Sequence, residues 1–136
     1  MNALRQGAEL DELPTILIVE DDPDIQGVVE DALTEGGFRC AVVASAEEAL
    51  TLLQGGQKYL ALVVDINLRG RMTGWAATRT ARDMDPNIPI VYMTAGAGDQ
   101  WPSQGVPKSI LLQKPFAPAQ LVTAVSNLLN AGGTPA

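Results

Sequence analysis

Four apolar runs in this chain each end on a residue able to do chemistry. Thr15-Ile16-Leu17-Ile18-Val19 runs into Glu20, Asp21 and Asp22, and Tyr59-Leu60-Ala61-Leu62-Val63-Val64 runs into Asp65. Ile88 to Met93 ends at Thr94, and Ser109 to Gln113 ends at Lys114. Short runs of this kind, rich in branched residues, read as strands buried on both faces. Each polar residue is then at the carboxyl end of its strand, where open parallel sheets carry their chemistry. Taken singly, each has an ordinary explanation. An Asp after a strand is usually a turn or cap residue, and acids before a helix complement its dipole. Thr after a strand and a Lys-Pro turn are equally commonplace. Acid, acid, hydroxyl and ammonium on one sheet edge are a different matter.

Carboxylates that converge repel one another, and their pKa values rise. A hard divalent cation removes the conflict. Mg²⁺ takes oxygen ligands in octahedral geometry, keeps several waters and uses one or two carboxylates. Asp21 and Asp65 are the natural direct ligands, Glu20 could hold a coordinated water, and a loop carbonyl after Asp65, that of Asn67, could add an oxygen. With charge neutralised, Asp65 could itself attack a phosphoryl group. The Lys114 ammonium could pair with Asp65 and then with a phosphoryl oxygen, and the Thr94 hydroxyl could donate to another. Lys114-Pro115 is a candidate cis peptide that would aim the lysine inward, although only ~5% of such bonds are cis.

The elements that must position these groups alternate. Asp22 caps a helix that starts at Pro23. Ile25, Val28, Val29, Ala32 and Leu33 give it one apolar face, and Gly36-Gly37 ends it. Phe38 to Ala44 is a further strand. Ser45 and Glu48 form a capping box for the next helix, whose stripe is Ala46, Ala49, Leu50 and Leu53, closed by Gly55-Gly56. A third helix runs roughly from Thr73 to Met84 and stops before Pro86. Residues 95–108 contain Gly96, Gly98, Pro102, Gly105 and Pro107, so a loop with at most one helical turn, near Asp99 to Ser103, is expected there. Leu121, Val125, Leu128 and Leu129 mark the last helix.

This order predicts an α/β fold with a doubly wound, five-stranded parallel sheet in the flavodoxin-like order 2-1-3-4-5, its fourth helix short or replaced by loop. That order makes the first and third strands neighbours, so Glu20-Asp21 and Asp65 should meet. Residues 1–14 read as a flexible leader, 15–130 as one domain and 131–136 as a tail.

The bulk numbers exclude several classes. At 136 residues with 46% hydrophobic residues, the chain is one ordinary domain with a real core. A net charge of -7 speaks against nucleic acid as a partner. There is no histidine, and Cys40 is the one cysteine, so zinc and disulfide chemistry drop out and Cys40 reads as a small core residue. No run approaches the ~18 apolar residues of a membrane span, and the start of the chain lacks the shape of a signal peptide. A cytoplasmic protein is expected.

Ile16-Leu17-Ile18-Val19-Glu20-Asp21, Leu62-Val63-Val64-Asp65, Met93-Thr94-Ala95 and Lys114-Pro115-Phe116, in this order and spacing, resemble the response-regulator receiver domain of two-component signalling. The resemblance covers about Thr15 to Leu129. It implies that Asp65 accepts a phosphoryl group from a histidine kinase or a histidine phosphotransfer protein. It implies Mg²⁺ held by Asp21, Asp65 and the Asn67 carbonyl, with Glu20 assisting, Thr94 as the switch hydroxyl and Lys114 as the family's lysine. With no output domain after Leu129, the expected role is a non-enzymatic, single-domain regulator. It would signal by phosphorylation-dependent protein contact or serve as a phosphate shuttle or sink.

Three features depart from the family pattern. Leu68-Arg69-Gly70 replaces the frequent Met-Pro-Gly turn, with extra residues before Gly74. Leu111 stands where the switch aromatic is usual, and the fourth helix is eroded to Gly and Pro. Pro89-Ile90-Val91-Tyr92-Met93-Thr94 with Gln113-Lys114-Pro115-Phe116 resembles a group of stand-alone bacterial receivers with a remodelled region between strands 4 and 5, in which Tyr92 is a candidate for the aromatic role. Two rival classes remain: a receiver-like binding module not controlled by phosphorylation, and an aspartyl-nucleophile phosphatase. The second wants an Asp two residues after the nucleophile, where this chain has Asn67. A nucleotide-binding fold would want a glycine-rich loop after the first strand, where the chain has acids.

Overall fold

The structure, a computed structural model, describes residues 15–96 and 98–133. The expected leader, 1–14, and the last residues of the expected tail lie outside them. In chain order the elements are β1 (Thr15–Val19), α1 (Pro23–Glu35), β2 (Arg39–Val43), α2 (Ala46–Gln54), β3 (Ala61–Asp65) and α3 (Gly74–Met84), then β4 (Ile90–Thr94), α4 (Trp101–Gln104), β5 (Ser109–Gln113) and α5 (Pro118–Gly133). All neighbouring strands pair in parallel, in the order β2-β1-β3-β4-β5, as the alternation predicted.

The two-residue period of the strands sorts the core into two layers. Leu17, Val19, Leu62, Val64, Ile90 and Tyr92 pack under α2 and α3 against Leu50, Leu53 and Trp75. Ile16, Ile18, Val63, Val91 and Met93 face the other way, against Val29 and Leu33 of α1 and Leu121 and Val125 of α5. The three central strands are therefore buried from end to end, apart from Thr15 at the start of β1. Edge strands β2 and β5 are half-buried, and Cys40 packs against the second layer from the β2 edge.

Local caps fix the helix starts. Asp22 Oδ1 accepts from Asp24 N at 2.9 Å, and Ser45 Oγ from Glu48 N at 3.1 Å. Glu48 reaches back to Ala44 N at 2.8 Å, one residue before the cap. Thr73 caps α3 by accepting from Ala76 N at 3.1 Å. Boundaries differ from the expected ones by small steps. β3 begins at Ala61 rather than Tyr59, and α5 continues through Gly133, because Ala131 prolongs a helix that only the glycine pair weakens.

The connection between β4 and β5 holds more helix than the single turn expected. A 3₁₀ turn over Gly98–Gln100 leads directly into α4, where Pro102 sits in the first turn and costs little. Polar links bind this connection to the rest of the fold. Tyr92 Oη lies 2.6 Å from Thr78 Oγ1 of α3 and accepts from Val106 N at 3.0 Å. Arg82 donates to the carbonyls of Ile88, Pro107 and Lys108 at 2.8, 2.6 and 3.2 Å. Trp101 Nε1 donates to Ser109 Oγ at 3.0 Å, and Arg79 hydrogen-bonds Gln104. Trp75 packs on Tyr92 with ring centres 4.8 Å apart.

Candidate functional site

Sheet register delivers the acids to one place. Val19 pairs with Val64 across β1 and β3, so Glu20 and Asp65 leave their strands side by side. Oxygens of Glu20, Asp21 and Asp65 all lie within 4.8 Å of one another. Asp65 also pairs with Met93, and Thr94 with Gln113. Thr94 and Lys114 thus follow at the same edge, where Lys114 N donates to the Thr94 carbonyl at 2.7 Å. The bond between Lys114 and Pro115 is cis.

Burial sharpens the electrostatics. Glu20 has no exposed surface and Asp65 is 4% exposed, whereas Asp21 opens to solvent. Lys114 Nζ stands 2.9 Å from Glu20 Oε1 and 3.3 Å from Asp65 Oδ2, so one ammonium bridges both carboxylates. The sequence paired it with Asp65 alone. Burial pushes the Glu20 carboxyl up to about 7, Lys114 opposes that rise, and neighbouring Asp65 adds to it. Lys114 is raised in turn: burial works against its charge, but the Glu20 hydrogen bond and the Asp65 charge outweigh it. A carboxyl held near neutrality by its surroundings, beside two further acids, is the conflict that a bound cation resolves.

Backbone groups complete the site. Asn67 N donates to Asp65 Oδ1 at 2.9 Å, which fixes the Asp65 side chain through the loop that follows it. Glu20 Oε2 accepts from Asp22 N at 3.1 Å, so Asp22 serves as cap and brace rather than joining the cluster. Thr94 is fully buried, and its Oγ1 accepts from Gly96 N at 3.2 Å. Arg69 is the residue that sequence reasoning missed. Its backbone N–H donates to Asp21 Oδ2 at 3.1 Å, and its Nε lies 3.5 Å from the same oxygen. The one signal for it was a cation inside the altered loop after Asp65.

The donor set of the cluster is entirely oxygen: two buried carboxylates and one more accessible carboxylate. That composition fits Mg²⁺, a hard cation, and fits no soft metal. Among the described residues, no helix is long and apolar enough to cross a membrane.

Comparison with known proteins agrees with this arrangement. Residues 16–126 match the family model of the response regulator receiver domain. A response regulator receiver protein of Sinorhizobium medicae has a crystal structure 44% identical in sequence, with a TM-score of 0.86, over 89% of this chain and 98% of that one. The receiver domain of the sensor histidine kinase PA1611 of Pseudomonas aeruginosa, solved with magnesium coordinated in its active-site cleft, is 30% identical with a TM-score of 0.74, over 86% of this chain and 98% of that one. The transcriptional regulatory protein PrrA of Mycobacterium tuberculosis is 30% identical over 90% of this chain and 53% of its own length. The chain thus spans about half the length of that curated relative, and 37% of the transcriptional regulatory protein AfsQ1 of Streptomyces coelicolor, which is 37% identical over 64% of this chain. By its sequence, its sheet order and its acidic edge, this chain belongs to the response regulator receiver domain family.

Proposed function

We propose that this receiver takes a phosphoryl group onto Asp65 from the phosphohistidine of a histidine kinase or a histidine phosphotransfer protein. The observation that carries the reading is the placement of Lys114. It bridges Glu20 and Asp65 at 2.9 and 3.3 Å, so a cation already stands beside the oxygen that would react. In the transfer, an Asp65 carboxylate oxygen bonds to phosphorus while the P–N bond to imidazole breaks. The leaving imidazole keeps that electron pair and takes a proton from solvent. Asn67 N on Oδ1 and Lys114 Nζ beside Oδ2 fix the orientation of the Asp65 carboxylate for attack. Lys114 Nζ then pairs with a phosphoryl oxygen, and the Thr94 hydroxyl would donate to another.

Asp21 and Asp65, with Glu20 through a water and the Asn67 carbonyl, would hold Mg²⁺. Bound there, Mg²⁺ supplies charge neutralisation between the acids and the incoming phosphoryl oxygens. The domain of residues 15–130 would act in the cytoplasm, by phosphorylation-dependent contact with a protein target or by passing phosphate between histidine proteins.

Incubation with Mg²⁺ and acetyl phosphate, followed by intact mass, tests this reading beside Asp65→Asn. One added phosphoryl group that requires metal and disappears in Asp65→Asn is the expected result. No addition from acetyl phosphate or from a phosphorylated histidine protein would overturn it and leave a receiver-shaped binding module.

A further inference from the structure

Asp21 is the accessible member of the acidic cluster, and it is not free. The loop after β3 turns back on itself at Gly70, whose φ of +108° suits glycine. A β-carbon there would face the Glu47 carboxylate at 3.4 Å, so the turn sits close against the start of α2. The turn sets Arg69 against Asp21, 48 residues away in sequence, with its backbone N–H at 3.1 Å and its Nε at 3.5 Å from Oδ2. The Arg69 side chain is 93% exposed and Asp21's is 18% exposed. A solvent-facing guanidinium thus rests on the most accessible carboxylate of the cluster.

We propose that Arg69 is a tethered competitor for the cation site, holding Asp21 until Mg²⁺ displaces it. The inference rests on the reading of Glu20, Asp21 and Asp65 as a Mg²⁺ site. Lys114 cannot play this part, because it sits deep, on Glu20 and Asp65, and leaves Asp21 untouched in the bonds described. The backbone N–H of Arg69 keeps the loop in place in either state; the guanidinium is the part that must leave. Two cations on one carboxylate repel, and an exposed pair of this kind is weak and screened by salt. The consequence is a Mg²⁺ affinity held below what the carboxylates alone would give, by a margin that shrinks as salt is added.

Titration calorimetry of the whole protein with Mg²⁺, at low and near-physiological ionic strength, tests this without reference to phosphoryl transfer. Arg69→Gln should bind Mg²⁺ about two- to fivefold more tightly at low salt, with a smaller gain at high salt. Arg71→Gln, which removes an equal charge from an exposed position two residues on, should change the affinity by less than half as much. Unchanged or weaker binding by Arg69→Gln overturns the proposal, as does an equal effect of Arg71→Gln. If the unsubstituted protein binds no Mg²⁺, or binds it as well after Asp65→Asn and Asp21→Asn, the metal-site reading itself fails and the inference with it. Arg69→Gln leaves the buried core untouched, so matching far-ultraviolet dichroism is expected as a check on folding.

Discussion

A β-carbon on Gly74 would lie 2.6 Å from the carbonyl oxygen of Asp65. The first residue of α3 therefore packs directly on the backbone of the residue proposed to react, with Ile66 Cα at 3.1 Å and a Val64 methyl at 3.2 Å around the same point. Backbone atoms cannot swing aside as a side chain can. Gly74→Ala should push the start of α3 off β3 and cost about 1–3 kcal/mol, the usual range for overpacking. Urea unfolding measures the loss, and phosphoryl uptake on Asp65 should fall with it. Gly27→Ala is the matched control. It lies within α1, where a β-carbon meets nothing within 4 Å, and should gain about 0.5–1 kcal/mol from helix propensity.

The raised carboxyl of Glu20 makes a prediction about pH. Its value of about 7 in the folded protein lies above the ordinary 4.5, so between those values the folded state binds more protons than the unfolded one. The stability that this group contributes is complete below pH 4.5 and is lost as the pH rises through about 7. In chelator, the melting temperature should therefore fall from pH 5 to pH 8 by more in the unsubstituted protein than in Glu20→Gln. The difference corresponds to at most about 3 kcal/mol. Mg²⁺ needs the charged carboxylate, so added Mg²⁺ should stabilise the unsubstituted protein more at pH 8 than at pH 6. Equal pH slopes for the two proteins would remove Glu20 as the source.

Lys114 is the cation on which two buried acids depend. Lys114→Gln keeps much of the volume but leaves Glu20, with no exposed surface, and Asp65 without their ammonium. Breaking a buried pair from one side typically costs about 3–5 kcal/mol. Part of that should return when Mg²⁺ is added, since the metal supplies the missing positive charge. Chemical unfolding with and without Mg²⁺ gives both numbers. A loss that Mg²⁺ does not reduce would mean that Lys114 and the cation site act independently.

Much of this site was legible because a parallel sheet converts sequence order into position. Once Glu20-Asp21, Asp65, Thr94 and Lys114 are read as strand ends, the strand order places them together, and the observed register does so. What could not be read were contacts made by loops and long side chains. The reach of Lys114 to Glu20 as well as Asp65 was not legible, and neither was the contact of Arg69 with Asp21, made from the loop that turns at Gly70. The region 95–108 gave the least information, since its glycines and prolines suppress periodicity. Its order comes from side chains elsewhere, on α3 and β4, that carry no local signal.

Tyr92 is the clearest case of such a side chain. The ring is fully buried two residues before Thr94, packed on Trp75, and its hydroxyl joins Thr78 of α3 to the backbone of Val106 ahead of β5. One phenol therefore ties the β4–β5 connection to α3, next to a position, Leu111, where the family resemblance leads one to expect an aromatic. Tyr92→Phe keeps the packing and removes only the hydroxyl, which leaves the buried Val106 N–H to find another acceptor, while Thr78 keeps its hydrogen bond to the Trp75 carbonyl. Stranding such groups costs about 1–3 kcal/mol. If the hydroxyl is what fastens the connection, amide hydrogen exchange in Tyr92→Phe should quicken in 98–108 by more than in β1 or α1. If Tyr92 merely fills the core, exchange in 98–108 should change no more in Tyr92→Phe than it does in β1 or α1. Repeating the measurement after phosphoryl uptake would show whether Thr94, two residues along on the same face of β4, passes its change of partner to this hydroxyl. In that event protection of 98–108 shifts in the unsubstituted protein and stays flat in Tyr92→Phe.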